Sequence, residues 1–316
     1  KVSYFEVRNN VGIFEHCAKG ILLLYGKDAI EFLQRISTND ITKLFKGGLS
    51  TSILVTEKGK IVDILTLYNS GNYVVALTSE NNVTTVITWL ERFIITEDIM
   101  IKNISDDYFF YSVIGENSFN VLQEYFQSFS WDNHVFEIFN NSDNLFDVLL
   151  FREKLFTLPA FSLIVKKSKE TNLKKYFREK ELHSIFQIES GIPGFGYEFS
   201  QDYNPLEVGL TALISTTKGC YIGQEVLARL DTYGKVKKKI SGFILGGEFP
   251  ILLSNKIFQN GIEAGFFTSS TYSFLVDKYI ALGYIYSTYS EHSHLYLLLE
   301  NGEHFPIQIT ELPFSK

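Results

Sequence analysis

Apolar and polar residues alternate along the start of the chain in a pattern that changes from strand to helix periodicity. Residues 21–25 form a short apolar run that Gly26 ends, which is typical of a strand. Apolar residues then recur at helical spacing over 29–36. Asp28 before this helix and Glu31 three residues later predict a capping box at its start.

The same periodicities continue over the next 140 residues and predict two α+β layers. A hairpin with its turn at 57–60 is expected between the second and third strands. The pattern predicts strands over 49–56, 61–68, 73–77 and 108–114, helices over 82–93 and 118–126, a strand-rich region over 135–165 and a charged helical stretch over 166–180. Strands that follow one another through short turns indicate largely antiparallel sheets.

From Tyr233 onward the pattern becomes that of an all-β domain. Strands are predicted over 240–245, 265–268, 280–286 and 295–299. Asn260-Gly261 and Asn301-Gly302 are strong turn signals between them. The sequence therefore predicts a small β-barrel or sandwich of about eighty residues at the carboxyl end.

Composition and charge narrow the function classes. The chain has 316 residues, of which 45% are hydrophobic and 21% charged, with a net charge of −7. This charge does not attract nucleic acid or anionic membrane in bulk, so such contacts would need a local basic patch. The densest patch comprises Lys235, Lys237, Lys238 and Lys239. Two cysteines form no disulfide framework, which points to a reducing compartment, and no apolar run reaches the ~18 residues of a membrane span.

One of the two cysteines stands in an unusual setting, K-G-C-Y-I-G-Q-E, over residues 218–225. Glycines flank Cys220, and the helix-forming stretch 224–230 follows it. Amides at a helix start favour an anion, so a reactive thiol is one interpretation. A small residue packed at a tight turn is the other, and the residues alone leave both open. Cys17, beside His16, is interpreted as structural.

A second candidate site lies in Q-I-E-S-G-I-P-G-F-G-Y-E, over residues 187–198. Glu189 is expected at the end of an apolar helix, before a glycine-rich turn that carries Tyr197. A carboxylate near aromatic rings suits a flat heterocycle with N–H donors, such as a pterin. An exposed glutamate at a helix end fits the pattern equally well. His292 and His294 would lie on one face of a strand, but no cysteine or carboxylate cluster completes a metal site, so none is predicted.

Several of these segments together resemble one superfamily. G-I-F-E-H, Y-G-K-D-A-I-E-F-L-Q-R-I-S-T-N-D-I, E-K-G-K-I-V-D-I-L, E-S-G-I-P-G-F-G, N-P-L-E-V-G-L and I-A-L-G-Y are similar, in order, to landmarks of the glycine-cleavage T-protein and its relatives. The motif at 218–225 resembles the hallmark of the YgfZ-type branch. Members of that branch bind folate and are linked to the maturation of iron–sulfur enzymes and to tRNA modification, and the branch has a mitochondrial iron–sulfur assembly relative.

The resemblance implies a three-lobed ring of two α+β (ferredoxin-like) domains plus a C-terminal β-barrel, with tetrahydrofolate, or a one-carbon derivative, in the central hole. It implies a folate-binding core over 1–105 with 181–232, a second domain over 106–180 and the barrel over 233–316. The folate-binding residues would be Glu189, Asp63, Tyr197 and Gln187. The reactive thiol would be Cys220, within a motif that includes Lys218, Gly219, Tyr221, Gly223, Gln224, Glu225 and Arg229.

The sequence also departs from the T-protein pattern. The T-protein carries an acidic pair after the hairpin turn, with the second acid catalytic, and here the pair reads Asp63-Ile64. Gln187 stands where the T-protein places an arginine. Because isoleucine exchanges no proton with an amine, it is uncertain whether the protein is an enzyme.

Three hypotheses follow from the resemblance and its departures. The first is a folate-binding accessory factor for iron–sulfur cluster assembly or repair and tRNA modification that uses Cys220. The others are a tetrahydrofolate-dependent aminomethyl or one-carbon transferase, with Asp63 in place of the missing acid, and a non-catalytic adaptor. Expected partners are a reduced folate, iron–sulfur proteins or tRNA-modifying enzymes, and tRNA through the lysine patch, with no membrane contact. A bacterial cytoplasm or a mitochondrial matrix is the expected location.

Overall fold

The computed structural model describes residues 1–126, 135–139, 145–169, 173–246, 252–289 and 294–314. The chain divides into two compact units. Unit 1 comprises Lys1–Lys154, Leu158–Lys180 and Ala212–Gln224. Unit 2 comprises Leu155–Thr157, Glu181–Thr211 and Glu225–Lys316.

The described residues form six α-helices and sixteen strands. The helices are α1 (Val2–Asn9), α2 (Ala29–Ile36), α3 (Val83–Glu91), α4 (Ser118–Tyr125), α5 (Lys180–Glu189) and α6 (Gln224–Thr232). The strands are β1 (Gly12–Glu15), β2 (Lys19–Tyr25), β3 (Leu49–Val55), β4 (Ile61–Asn69), β5 (Val74–Glu80), β6 (Met100–Asn103), β7 (Tyr108–Ile114), β8 (Val135–Phe139), β9 (Phe146–Glu153), β10 (Ala160–Lys166), β11 (Lys238–Gly246), β12 (Leu252–Gln259), β13 (Ile262–Ser273), β14 (Lys278–Tyr286), β15 (Leu295–Leu299) and β16 (His304–Thr310).

Unit 1 contains two five-stranded antiparallel sheets, in the orders β3-β4-β5-β2-β6 and β1-β7-β10-β9-β8. Helices α2 and α3 pack on the first sheet through Phe32, Leu33 and Leu90, and α4 packs on the second through Val121 and Leu122. The opposite faces of the two sheets share a third apolar cluster. Both sheets are therefore covered on both faces, with helices outside and the shared layer between them.

A polar bridge joins the two sheets of unit 1. His16 Nδ1 lies 2.6 Å from a carboxylate oxygen of Glu80, and His16 Nε2 lies 2.9 Å from the Ser112 hydroxyl. Burial lowers the pKa of His16, and the hydrogen bond from His16 lowers the pKa of Glu80 to about 2. A neutral imidazole that donates to Glu80 and accepts from Ser112 satisfies both contacts.

Unit 2 contains a closed antiparallel barrel in the order β11-β14-β13-β12-β15-β16. Phe243, Ile257 and Leu297 belong to its core. Asn260 and Gly261, with φ of 48° and 77°, form the turn predicted between β12 and β13. The α+β class with a C-terminal β-barrel is confirmed, whereas the ring arrangement and the domain boundaries stay predictions.

Several local predictions were wrong or incomplete. Asp28 makes no side-chain cap to α2, because its carboxylate accepts the backbone N–H of Asp98 at 2.8 Å instead. In the described part of the stretch 166–180, β10 ends at Lys166, a short 3₁₀ turn spans Lys174–Tyr176 and α5 begins at Lys180, so the predicted helical stretch is wrong there. The sequence interpretation also missed α1, β1, β6, β12 and β16. Strand β1 pairs with β7, about a hundred residues later in the chain.

No helix among the described residues is long and apolar enough to cross a membrane.

Candidate functional site

The segment that carries the cysteine motif lies along the end of α2, within unit 1. The Thr38 hydroxyl donates to the Leu213 carbonyl at 2.7 Å, and the Ser215 N–H donates to the Thr38 carbonyl at 3.0 Å. The Ser215 hydroxyl in turn accepts the backbone N–H of Lys218 at 3.2 Å. Two chain segments far apart in sequence are thus hydrogen-bonded side by side.

Lys218 anchors the motif through its ammonium group. The Nζ atom donates to the carbonyl oxygens of Gln34, Ser37 and Asn39, at 2.5, 2.7 and 2.7 Å. Carbonyls at a helix end lack intrahelical partners, so a cation placed there satisfies them and opposes the helix dipole. Burial lowers the pKa of Lys218 to about 8, and the charge of Asp40 acts against this.

Gly223 fixes the other end of the motif against the hairpin turn of the first sheet. Its φ is +78°, and a Cβ atom on it would lie 2.6 Å from the Thr56 carbonyl oxygen. A Cβ on Gly219 would meet nothing within 4 Å. Of the two motif glycines that flank Cys220, only Gly223 is therefore required by its surroundings.

Cys220 is exposed between these two anchors. Tyr221 beside it is buried, and the Lys218 ammonium lies 5.2 Å from its ring centre. Gln224 begins α6, four residues after the cysteine, and Glu225 and Arg229 are exposed on that helix. Cys17 is exposed as well, which corrects its interpretation as a structural residue.

Asp63 does not face solvent. Its carboxylate is 0% exposed and accepts the Ser79 N–H at 3.0 Å, the Ser79 hydroxyl at 2.5 Å and the Ile64 N–H at 2.8 Å. Burial raises the pKa of Asp63. This arrangement argues against the predicted folate contact through Asp63, and against Asp63 in place of the missing acid, because its oxygens serve the sheet.

A second group of predicted residues meets around Gly194 in unit 2. The position of a Cβ atom on Gly194 lies 3.2 Å from Gln187 Nε2, 3.3 Å from Glu198 Oε2 and 3.6 Å from Tyr197 Cδ2. Tyr197 is 65% exposed, whereas Glu198 is 2% exposed. The turn thus brings Gln187 and Tyr197 together, and it adds Glu198, which was not among the predicted site residues.

Glu189 is the last residue of α5 and is buried. The Ser273 hydroxyl donates to its carboxylate at 2.5 Å, and its carbonyl accepts the Phe314 N–H at 3.0 Å. The alternative of an exposed glutamate at a helix end is wrong. A folate contact through Glu189 stays a prediction.

The lysine patch is smaller than the sequence indicates. The Lys238 ammonium lies 4.2, 5.1 and 5.2 Å from the ring centres of Tyr203, Tyr284 and Phe266, which is a cation–π arrangement. The other three lysines of the patch, Lys235, Lys237 and Lys239, are exposed. In the part of the chain that the structure describes, no group of three or more His, Cys, Asp or Glu could hold a metal ion. His292 lies outside the described residues.

Comparison with known proteins identifies the superfamily. The GCVT N-terminal domain matches residues 3–149, and the glycine cleavage T-protein C-terminal barrel domain matches residues 238–316. The chain belongs to the glycine-cleavage T-protein superfamily. The first match runs from α1 into β9, within the two sheets of unit 1, and the second covers the barrel of unit 2.

Similar proteins of this superfamily carry the name aminomethyltransferase. That of Geobacillus sp. (strain WCH70) is 25% identical, over 100% of this chain and 90% of the relative. That of Aquifex aeolicus (strain VF5) is 26% identical, over 88% and 77%. The crystal structure of glycine cleavage system aminomethyltransferase T from Bartonella henselae has a TM-score of 0.87 at 18% identity, over 99% of this chain and 89% of that one. At that identity the likeness shows a shared fold.

The structure shows two features of the site that sequence reasoning missed. One is the set of α2 carbonyls that bind Lys218, and the other is the buried carboxylate of Glu198. The motif pointed to Lys218, but nothing in it indicated the carbonyl groups that Lys218 binds, which lie about 180 positions earlier in the chain. The Tyr-Glu pair after the glycine-rich turn was the only available signal for Glu198.

The two glycines of the motif offer a matched test of the anchor. Gly223→Ala should lower the free energy of unfolding by about 1–3 kcal/mol, because the added methyl group meets the Thr56 carbonyl at a left-handed φ. Gly219→Ala should stay within about 0.5 kcal/mol of the parent. Urea unfolding followed by circular dichroism measures both. Equal losses in the two variants would contradict the assignment.

Proposed function

We propose that the protein binds a reduced folate and acts as an accessory factor for iron–sulfur cluster assembly or repair and for tRNA modification, with Cys220 as its working group. The observation that carries the proposal is an exposed thiol between two fixed points, the Lys218 ammonium and Gly223. The resemblance of residues 218–225 to the YgfZ-type hallmark supports the same function.

The chemistry of a thiol suits this role. A thiolate is both a nucleophile and a metal ligand, so an exposed cysteine can contact a cluster, a redox partner or a one-carbon group. Such a group is useful only if its backbone is held while its sulfur stays accessible. The anchors on both sides of Cys220 meet the first condition, and its exposure meets the second. Two free cysteines also fit a reducing compartment, either a bacterial cytoplasm or a mitochondrial matrix.

Some of the predicted folate ligands fit tetrahydrofolate better than others. The exposed Tyr197 ring and the Gln187 amide lie together at Gly194, and they offer a stacking surface and a hydrogen-bonding group to a flat heterocycle. Glu189 is an acceptor that already binds Ser273. Asp63 has its carboxylate oxygens turned into the sheet. The fit therefore rests on Tyr197 and Gln187.

Aminomethyl transfer is the second candidate, and the comparisons support it better than the accessory role, because the relatives reported above are named aminomethyltransferases. The side chains at positions 63 and 64 argue against aminomethyl transfer. Position 64, where the T-protein resemblance implies the catalytic acid, carries isoleucine, and the neighbouring Asp63 is fully buried. A transferase would need another group to exchange the proton.

The exposed lysines add a polyanion contact to the proposal. Lys235, Lys237 and Lys239 would bind a tRNA phosphate or the glutamate tail of folate. Charge reversal in Lys237→Glu with Lys239→Glu should weaken tRNA or folylpolyglutamate binding, as measured by titration at fixed salt. Lys238 is left unchanged because its ammonium packs on aromatic rings. Unchanged affinity for both ligands would rule this contact out.

The two exposed cysteines provide a controlled test of the main proposal. In a strain that lacks the protein, Cys220→Ser should fail to restore iron–sulfur enzyme activity, because serine is a poor nucleophile and ligand at neutral pH. Cys17→Ser should restore it fully, since both side chains are exposed but only Cys220 lies in the anchored motif. Protein levels are compared by immunoblot. Full restoration of iron–sulfur enzyme activity by Cys220→Ser would contradict the proposal.

Position 64 separates the accessory factor from the transferase. The unmodified protein should form no methylene-tetrahydrofolate from an aminomethyl donor. Ile64→Asp should gain measurable turnover, because a positioned acid or base contributes roughly 10²–10⁴-fold. Ile64→Asn is the control of similar size without the proton-transfer group. Turnover by the unmodified chain, with no gain in Ile64→Asp, would establish the transferase instead.

A further inference from the structure

The carboxylate of Glu198 joins the glycine-rich turn at 194–199 to the barrel. One oxygen accepts the backbone N–H of Gly194 at 2.8 Å. The other accepts the hydroxyl groups of Thr268 and Ser269 on β13, at 2.6 and 2.7 Å. The Glu198 carbonyl also accepts the Tyr284 hydroxyl on β14 at 2.5 Å. A single residue thus holds the turn to two strands.

The chemistry of these contacts requires an acceptor at this position. A backbone N–H only donates, and both hydroxyl groups donate here, so an ionised carboxylate matches all three partners. A buried carboxylate is costly unless it is hydrogen-bonded, and charge-assisted bonds are about twice as strong as neutral ones. Among the described residues no lysine or arginine forms an ion pair with Glu198. The Glu198 carboxylate is instead stabilised by hydrogen bonds from Gly194 in the turn and from Thr268 and Ser269 on β13.

The turn that Glu198 holds presents an aromatic ring outward. Gly196 has a φ of +83° and donates its N–H to the Phe199 carbonyl at 2.8 Å. The Glu198 N–H donates to the Gly194 carbonyl at 3.0 Å. Tyr197, between them, is 65% exposed, and its ring edge adjoins Gly194 beside the Gln187 amide. A large exposed ring on a turn with a buried ionic anchor is arranged for contact with a ligand.

We infer that Glu198 is a positioning residue for folate binding, which sets the Tyr197 ring and the Gln187 amide by clamping the 194–199 turn to β13. The inference rests on the folate binding proposed above. Glu198 does not touch the ligand; it acts through Tyr197. A fixed ring loses less conformational freedom on binding a flat heterocycle, so the clamp raises affinity without adding a contact.

The test combines amide hydrogen exchange over 194–199 with calorimetric titration of tetrahydrofolate. Glu198→Ala should speed exchange in the turn and weaken folate binding by about tenfold, the equivalent of one lost charged hydrogen bond. Glu198→Gln should recover part of both, because its carbonyl can still accept from Gly194. Glu207→Ala is the matched control, since Glu207 is also buried and accepts the Asn204 N–H at 2.9 Å in a different turn.

A double-mutant cycle distinguishes positioning from general stability. If Glu198 acts through Tyr197, Glu198→Ala should have little further effect on folate affinity in a Tyr197→Ala background. Should Glu198→Ala fail to fold, Thr268→Val with Ser269→Ala removes both hydroxyl groups that donate to the Glu198 carboxylate, along with the Thr268 contact to the Leu282 carbonyl, and should act in the same direction.

The outcomes separate this inference from the function on which it rests. Faster exchange in the turn with unchanged folate affinity, or equal losses in Glu207→Ala, would overturn the positioning role and leave folate binding intact. Additive losses in the cycle would overturn it as well. Absence of tetrahydrofolate binding by the unmodified protein would overturn the proposed folate function, and the positioning role with it.

Discussion

The apolar layer between the two sheets of unit 1 is the interaction on which the rest of that unit depends. It is formed by Ile21, Leu23, Val75 and Leu77 from one sheet and by Tyr108, Phe110, Leu149 and Ile164 from the other. Because helices cover the outer faces, the central strands are buried on both sides. Buried polar side chains in this unit are mostly hydrogen-bonded, as Asp63 is, although the Tyr73 hydroxyl in the layer is buried without a hydrogen-bond partner among the described residues.

The loop at 213–223 is firmly held. A lysine ammonium donates to three carbonyls at the end of α2, and a glycine lies against the hairpin turn. Most motif residues with defined contacts serve this attachment, and Cys220 is the member left exposed. Glu198 does the same for Tyr197 in unit 2, with a carboxylate in place of the ammonium. In both places a partly or fully buried side chain with a charged group holds the backbone, and a residue one or two positions away stays exposed.

Much of the secondary structure, though not all of it, followed from the hydrophobic periodicity. The predicted strand at 108–114 and the helix at 29–36 agree with β7 and α2, because strong local periods were not overridden by tertiary contacts. The capping box at Asp28 failed because Asp98, seventy positions later, supplies a competing N–H to the same carboxylate. The strand β1 was missed because its four residues are too short to show a period and gain their structure from β7.

The sequence by itself determined the superfamily, the elements and the residues worth attention, including Cys220, Gln187 and Tyr197. These features depend on residue type and on the order of neighbouring residues, which the sequence itself shows. Only the tertiary structure decided what each polar side chain binds. The Asp63 carboxylate accepts a hydrogen bond from Ser79 in its own sheet, and the Glu189 carboxylate accepts one from Ser273. The Lys238 ammonium packs on aromatic rings. The partners of these polar groups lie in distant segments of the chain, and tertiary packing decides which of those segments come into contact.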